Sequence, residues 1–371
     1  MAVTMQRSGS GQTRLTRLIV GISLLGAIVA IAPIVGALFG VGTPTGRPAT
    51  AFASAPAGDY AVVSRNEGEV DVISVVWAEN PSAVTEIARV PHLDGFTSTG
   101  SISPDGTRVA LVTVDAGSVA RPGASLIFVD LETGELYRGA INVEPMQQPA
   151  WTSDGRAAVV TRATPAGIDV VQVSLEASET VLSSHPNTLG VYPLGFDDRG
   201  SLLQVVIDGR GSTVQASGSD LVHLGPFITR DWELSPDGLQ IAYIEVNTEG
   251  GLSYLARTAS LGAAAGVQSQ SIVADTPALG AAWNPVSKTA TYGLEPGAQA
   301  GAQVQAQSTD GGSVSGFDVP IEFTEDGELL AVTHWTGTSF DEPGQSTVYV
   351  VGPDGRWAIG GGVRFLGWSA R

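Results

Sequence analysis

Seven large apolar residues recur along the chain at a near-constant interval: Ile102, Trp151, Phe196, Leu234, Trp283, Phe323 and Trp368, spaced 49, 45, 38, 49, 40 and 45 residues apart. Most of them open a turn sequence, in its fullest form Ser-Pro-Asp-Gly, as at Ser103–Gly106 and Ser235–Gly238. Proline presets φ for a turn, aspartate hydrogen-bonds backbone two residues on, and glycine accepts positive φ. Seven residues after the first six anchors stand Val109, Ala158, Leu203, Ile241, Ala290 and Leu330; nine after them stand Leu111, Val160, Val205, Tyr243, Tyr292 and Val332. An apolar residue at every second position is the signature of a strand with a buried face. Each unit therefore reads as a strand, a tight turn and a second strand, followed in most units by further strands such as SLIFVDLETG from Ser125. A period in the forties with about four short strands per unit marks a β-propeller blade.

Ser-Pro-Asp-Gly between an aromatic or aliphatic strand and an Ile-Ala-Tyr type of strand resembles the TolB-type propeller repeat. Cell-envelope lipoproteins, the propellers of prolyl oligopeptidases and oligogalacturonate lyases share that repeat. The resemblance covers nearly everything after residue 58, is clearest at Ser103–Gly106, Ser153–Gly155 and Ser235–Gly238, and is weak at Asp197–Gly200 and Asn284–Ser287. It implies a fold more than a function, because unrelated activities sit on it. The separate α/β domain that precedes the propeller in TolB has no room in the short stretch before residue 59.

The ends of the repeat imply how the ring closes. Trp368 in VRFLGWSAR has a first strand but no second, whereas Asp59 onward reads as a second strand lacking a first, with a third and fourth strand up to Val90. The expected fold is all-β: a seven-bladed propeller over residues 59–371, closed by one C-terminal plus three N-terminal strands. Closure of this kind removes the open edges of an incomplete blade.

Ahead of the propeller, Leu18–Val41 is an uncharged apolar run of 24 residues. As a helix it would span about 36 Å, enough to cross a bilayer. Arg14 and Arg17 precede it, so the sequence predicts a single transmembrane helix with residues 1–17 as a cytoplasmic tail and the propeller extracytoplasmic. Gly42–Gly58, rich in Pro, Ala, Gly and Thr, reads as a flexible linker.

The chain carries a net charge of −18, and beyond residue 41 there are 16 basic against 37 acidic residues. Such a surface repels nucleic acid, which excludes that class of partner. There is no cysteine, hence no disulfide framework, thiolate nucleophile or lipidated cysteine. The four histidines have no metal-ligand spacing, and no G-x-S-x-G elbow or phosphate-binding glycine loop occurs. No catalytic residue, metal or cofactor is therefore expected. In a propeller, the loops between blades and those from second to third strands open around one mouth of the channel. Here they carry Arg65, His92, Asp94, Asp115, Arg162, His185, Arg210, Arg230, His334 and Trp335, the candidate ligand-binding residues. Two functions follow as expectations: a membrane-tethered scaffold or sensor for an envelope protein or wall component, or an envelope hydrolase or polysaccharide lyase working in the channel.

Overall fold

The computed structural model describes residues 50–115, 123–226, 228–248, 253–261, 270–294 and 315–371. A single helical turn, α1 (Thr50–Ala53), comes first. It is followed by β1 (Asp59–Asn66), β2 (Val70–Trp77) and β3 (Val84–Pro91), which pair in that order. The next sheet is β4 (Thr99–Ile102), β5 (Arg108–Val114), β6 (Ala124–Asp130) and β7 (Leu136–Val143). The third is β8 (Ala150–Trp151), β9 (Ala157–Thr164), β10 (Gly167–Ser174) and β11 (Glu179–His185), and the fourth β12 (Gly190–Phe196), β13 (Leu202–Asp208), β14 (Gly211–Ala216) and β15 (Ser219–Gly225). A five-stranded sheet follows: β16 (Ile228–Leu234), β17 (Gln240–Asn247), β18 (Ser253–Ser260), β19 (Gln270–Asn284) and β20 (Thr289–Leu294). The last complete sheet is β21 (Phe317–Phe323), β22 (Leu330–Trp335), β23 (Ser346–Gly352) and β24 (Gly355–Gly361). Finally β25 (Val363–Ala370) returns to pair antiparallel with β1, so the first sheet reads β25-β1-β2-β3.

The described residues therefore form a propeller of six sheets, and the expectation of seven blades is corrected. The difference arises at β19, which runs for 15 residues. Its first part pairs with β18 and its second with β20. From Gln270 to Asn284 the chain stays extended, so the repeats anchored at Leu234 and Trp283 share a strand instead of forming separate sheets. The expected transmembrane helix is likewise not found: among the described residues no helix is long and apolar enough to cross a membrane, and residues 18–41 lie outside them.

Turn chemistry fixes one face of the ring. At four anchors a Ser or Thr hydroxyl donates to the Asp two residues on: Ser103 to Asp105 at 2.5 Å, and Thr152 to Asp154, Ser235 to Asp237 and Thr324 to Asp326 at 2.7 Å. Each of these carboxylates also accepts a backbone N–H two residues further, from Thr107, Arg156, Leu239 and Glu328. The hydroxyl accepts the N–H five residues on, at Arg108, Ala157, Gln240 and Leu329. The turn glycines 106, 155, 238 and 327 have φ between 65° and 72°, where a Cβ would be strained. Hydroxyl and carboxylate of the motif are thus both engaged within the turn itself.

Packing between sheets supplies the core. Val62 and Ile73 of the first sheet meet Val109 and Leu111 of the second, all fully buried, and each such side chain contributes about 1.5–3 kcal/mol. Tryptophan anchors add a directional link. The indole N–H of Trp151 donates to Ser101 O (3.1 Å), that of Trp283 to Glu233 O (3.0 Å) and that of Trp368 to Glu322 O (3.2 Å). In each case the acceptor is the residue just before the anchor of the preceding repeat, so these indoles tie consecutive innermost strands together.

The closing seam is reinforced from both ends of the described chain. Gly58 and Arg371 exchange two backbone hydrogen bonds, and the Arg371 guanidinium lies 4.2 Å over the ring of Phe52. Phe52 is 1 % exposed and packs edge-on against Tyr60. Residues 52–58, at the end of the stretch read as a linker, are thereby part of the seam. The outer strands of several sheets carry bulges, as at β7 and β11. Such bulges blunt the edges that would otherwise invite pairing with another chain.

Candidate functional site

The innermost strands run from the mouth of the channel towards the turns, so the two faces of the ring are opposite ends of the same strands. At the mouth lies a cavity of about 590 Å³. The first sheet lends it Ser64, Asn66, Asp71, Val363 and Arg364, the segment before β4 lends Thr97 and Ser98, and the last sheet lends Ile321 and Trp335; Met146 projects from the loop before β8. The cavity therefore spans the closing seam and the sheets beside it. Its wall is half apolar, with Met146 exposed over 51 % of its surface and Trp335 partly buried.

A polar network organises the seam side. The Asp71 carboxylate accepts the Ser98 N–H at 2.7 Å, and its other oxygen has no hydrogen bond. Arg364 donates to Ser98 O (2.5 Å) and to Thr97 Oγ1 (3.0 Å). Arg364 is exposed at the mouth, yet neighbouring protein atoms strip part of its hydration; this lowers its pKa, with the Asp71 charge opposing the shift. It makes no ion pair.

Deeper in, two glutamates flank the axis. Glu233 and Glu322 stand immediately before the anchors Leu234 and Phe323, on the innermost strands β16 and β21. The Glu322 carboxylate comes within 3.5 Å of the Cβ position of Gly367 on β25. Burial pushes the pKa of Glu233 up to about 8, helped by the nearby Glu322, and burial alone pushes Glu322 up to about 7. Neither side chain is in a hydrogen bond or ion pair, although both keep some exposure to water. At the equivalent position the other repeats have Ser101, Ala150, Gly195, Ala282 and Gly367. That contrast is visible in the sequence and would have singled out the two glutamates.

Of the ten residues predicted from the loops, only Trp335 lines the cavity. Arg65 lies beside it but turns to Glu67 (2.7 Å), and Asp94 is exposed in the loop after β3. Asp115 accepts from Ser125 and faces Arg138; Arg162 makes a two-pronged contact with Glu179 on β11. Arg210 turns back on Asp208, and Arg230 on Asp231. The three histidines are structural. His92 is fully enclosed, with Nδ1 at 2.8 Å from Leu93 O and Nε2 at 3.2 Å from the Asn66 amide. His185 contacts Ser183 and Gln204, and burial lowers its pKa. His334 sits 2.8 Å from Asp318, which Arg356 also holds. Among the described residues no group of three or more His, Cys, Asp or Glu side chains could hold a metal ion.

No protein-family model matches the chain, and no curated protein matches it either. Solved structures do. TolB from Acinetobacter baumannii superposes with a TM-score of 0.52 at 13 % identity, over 85 % of this chain and 67 % of that one. The fold is a β-propeller, similar to that of TolB. A prolyl endopeptidase gives a TM-score of 0.56 at 13 % identity, over 84 % of this chain and 49 % of the peptidase. Prolyl oligopeptidase B from Galerina marginata, bound to a 35-residue substrate, gives 0.53 at 10 % identity, over 81 % of this chain and 48 % of its own. The chain spans about half the length of these two peptidase chains, and at such identities the likeness is one of fold.

Proposed function

We propose that the propeller is a binding scaffold that engages an envelope protein or wall component through the channel mouth beside the closing seam. The observation that carries this reading is the cavity of about 590 Å³, lined by apolar Met146 and Trp335 together with Asp71, Ser98 and Arg364. A concave pocket that combines apolar side chains with polar groups held in place is the usual character of a ligand site. The turn face carries a smaller cavity, of about 360 Å³ beside Gly106, Thr107 and Arg371. An extracytoplasmic location belongs to the same proposal and rests on the charge pattern of the first 58 residues.

Site-specific photo-crosslinking in intact cells tests it. A photoreactive residue at position 335 should capture a discrete partner, while one at Val286, on the turn face, should not. Equal capture from the two positions, or none from 335, contradicts the proposal.

One observation favours a second reading, an envelope hydrolase or polysaccharide lyase. Glu233 and Glu322 are two carboxyl groups near one axis with pKa values raised towards neutrality, the condition for a general acid. Glu322→Gln should abolish any glycan cleavage by the full chain; cleavage unaffected by that change removes these glutamates from the chemistry.

A further inference from the structure

Arginine in this protein is almost always neutralised. Of the arginines among the described residues, eleven pair with a carboxylate within 4 Å, and only Arg156 and Arg364 do not. Arg156 follows the Thr152–Gly155 turn, on the face opposite the mouth. Arg364 lies in the mouth cavity.

A guanidinium has five N–H donors, and the two hydrogen bonds of Arg364 go to neutral oxygens, Ser98 O and Thr97 Oγ1. Three donors remain, and no carboxylate among the described residues pairs with the charge within 4 Å. The Asp71 charge acts on it from beyond ion-pair distance; one Asp71 oxygen accepts the Ser98 N–H and the other lies 3.5 Å from His92 Nε2. What Asp71 does is fix Ser98, and through Ser98 the orientation of the guanidinium. The result is a partly dehydrated cation, held in place from behind and open towards a cavity. A carboxylate is the group that best matches it, because a planar fork of donors meets two acceptor oxygens.

We propose that the mouth binds the carboxylate of a peptide segment, with Arg364 as its ion-pair partner. This rests on the reading of the mouth as the ligand site and names the chemistry of its ligand. The surroundings favour a peptide over an acidic polysaccharide. A uronate chain presents hydroxyls on every ring and needs many polar partners and stacking faces. Beside Arg364 the cavity offers Val363, Ile321 and exposed Met146 among more numerous polar side chains, but Trp335 is its one indole, too little stacking surface for a chain of sugar rings. Val363, Ile321 and Met146 suit an aliphatic residue next to the carboxylate.

The test uses the full chain and three small probes followed by ligand-observed NMR: N-acetyl-L-leucine, N-acetyl-L-leucinamide and D-glucuronate. The leucine acid should bind weakly, near the millimolar range, and about tenfold more tightly than its amide, a factor equal to about 1.4 kcal/mol. Arg364→Met should erase that preference. Arg364→Lys should keep part of it, and carries the comparison should the methionine variant misfold. Trp335→Ala should weaken acid and amide alike. Equal binding of acid and amide, both lost in Trp335→Ala, would overturn the carboxylate assignment while leaving the mouth as the site. Glucuronate binding more tightly than the leucine acid would overturn the peptide class. Binding of no probe, or binding indifferent to both substitutions, would overturn the mouth reading as well.

Discussion

The two faces of the ring are made from opposite ends of the same innermost strands, yet they are built on different principles. On the turn face four of the repeats share one chemistry: a hydroxyl, a carboxylate and a glycine close the hairpin. At the mouth nothing repeats. Asp71 keeps an oxygen without a hydrogen bond, Arg364 keeps its charge, and Trp335 and Met146 face a cavity. The hydrogen bonds lower the carboxylate pKa values on the turn face. At Asp154, Asp237 and Asp326 the neighbouring hydroxyl has the largest effect; at Asp105 burial pulls upward but Ser103 and Thr107 outweigh it. Along the axis, burial instead raises Glu233 and Glu322. One end of each strand is committed to holding the fold, and the other is free to differ from repeat to repeat.

The most severe way to break this contrast is to open the seam that both faces share. Deleting Val363–Arg371 removes the strand that closes the first sheet, the Trp368 link to Glu322 and the Arg371 contacts with Phe52 and Gly58. The expected result is loss of cooperative unfolding, with aggregation, seen by calorimetry. A truncated chain that melts as the full chain does would show that the ring is not held by its ends.

Next in size is Trp151→Ala, which empties a site 7 % exposed and strips Ser101 O of its donor. A loss of about 3–5 kcal/mol is expected in urea denaturation. An unchanged midpoint would mean that the anchors do not pack between sheets. A turn substitution should cost less. Asp237→Ala removes the acceptor of Ser235 Oγ and Leu239 N and is expected to cost about 1–2 kcal/mol. A neutral result would deny the turn face its structural role.

The sharpest separation is by pH. The turn carboxylates have lowered pKa values, so their stabilisation is complete above pH 4 and is lost as pH falls through the folded values. Glu233 and Glu322 work in the other direction. Folded, they hold protons up to about pH 8 and 7, whereas the unfolded chain releases them near pH 4.5. They therefore reduce stability as pH rises from about 4.5 to about 8. Glu322→Gln should narrow the fall in Tm between pH 5 and pH 8 by on the order of 2 °C. Parallel Tm curves for variant and wild type would place Glu322 in water.

What the sequence makes legible follows the same division. The anchors, the turns and the C-terminal strand beside β1 depend on local chemistry and on period-2 alternation, and could be read from residues such as Ser235–Gly238 and Trp368. The merging of two repeats through β19 could not, because nothing local distinguishes a long extended connection from a loop. The mouth was legible only in part. His92, His185 and His334 sit in the expected loops or strand ends, but Asn66, Gln204 and Asp318, brought up by pairing across strands, turn them into buried structural residues. Arg364 gave no signal, since its free charge follows from partners 266 and 267 residues away in sequence.

The most direct test of this asymmetry is the affinity of the partner captured from position 335, measured for the full chain and two variants at matched folding stability. Trp335→Ala, at the mouth, should weaken binding at least about tenfold, as loss of a buried aromatic anchor does. Val286→Asp, which alters a side chain 68 % exposed on the turn face, should leave affinity within about twofold. Binding that survives Trp335→Ala but fails in Val286→Asp would contradict the account.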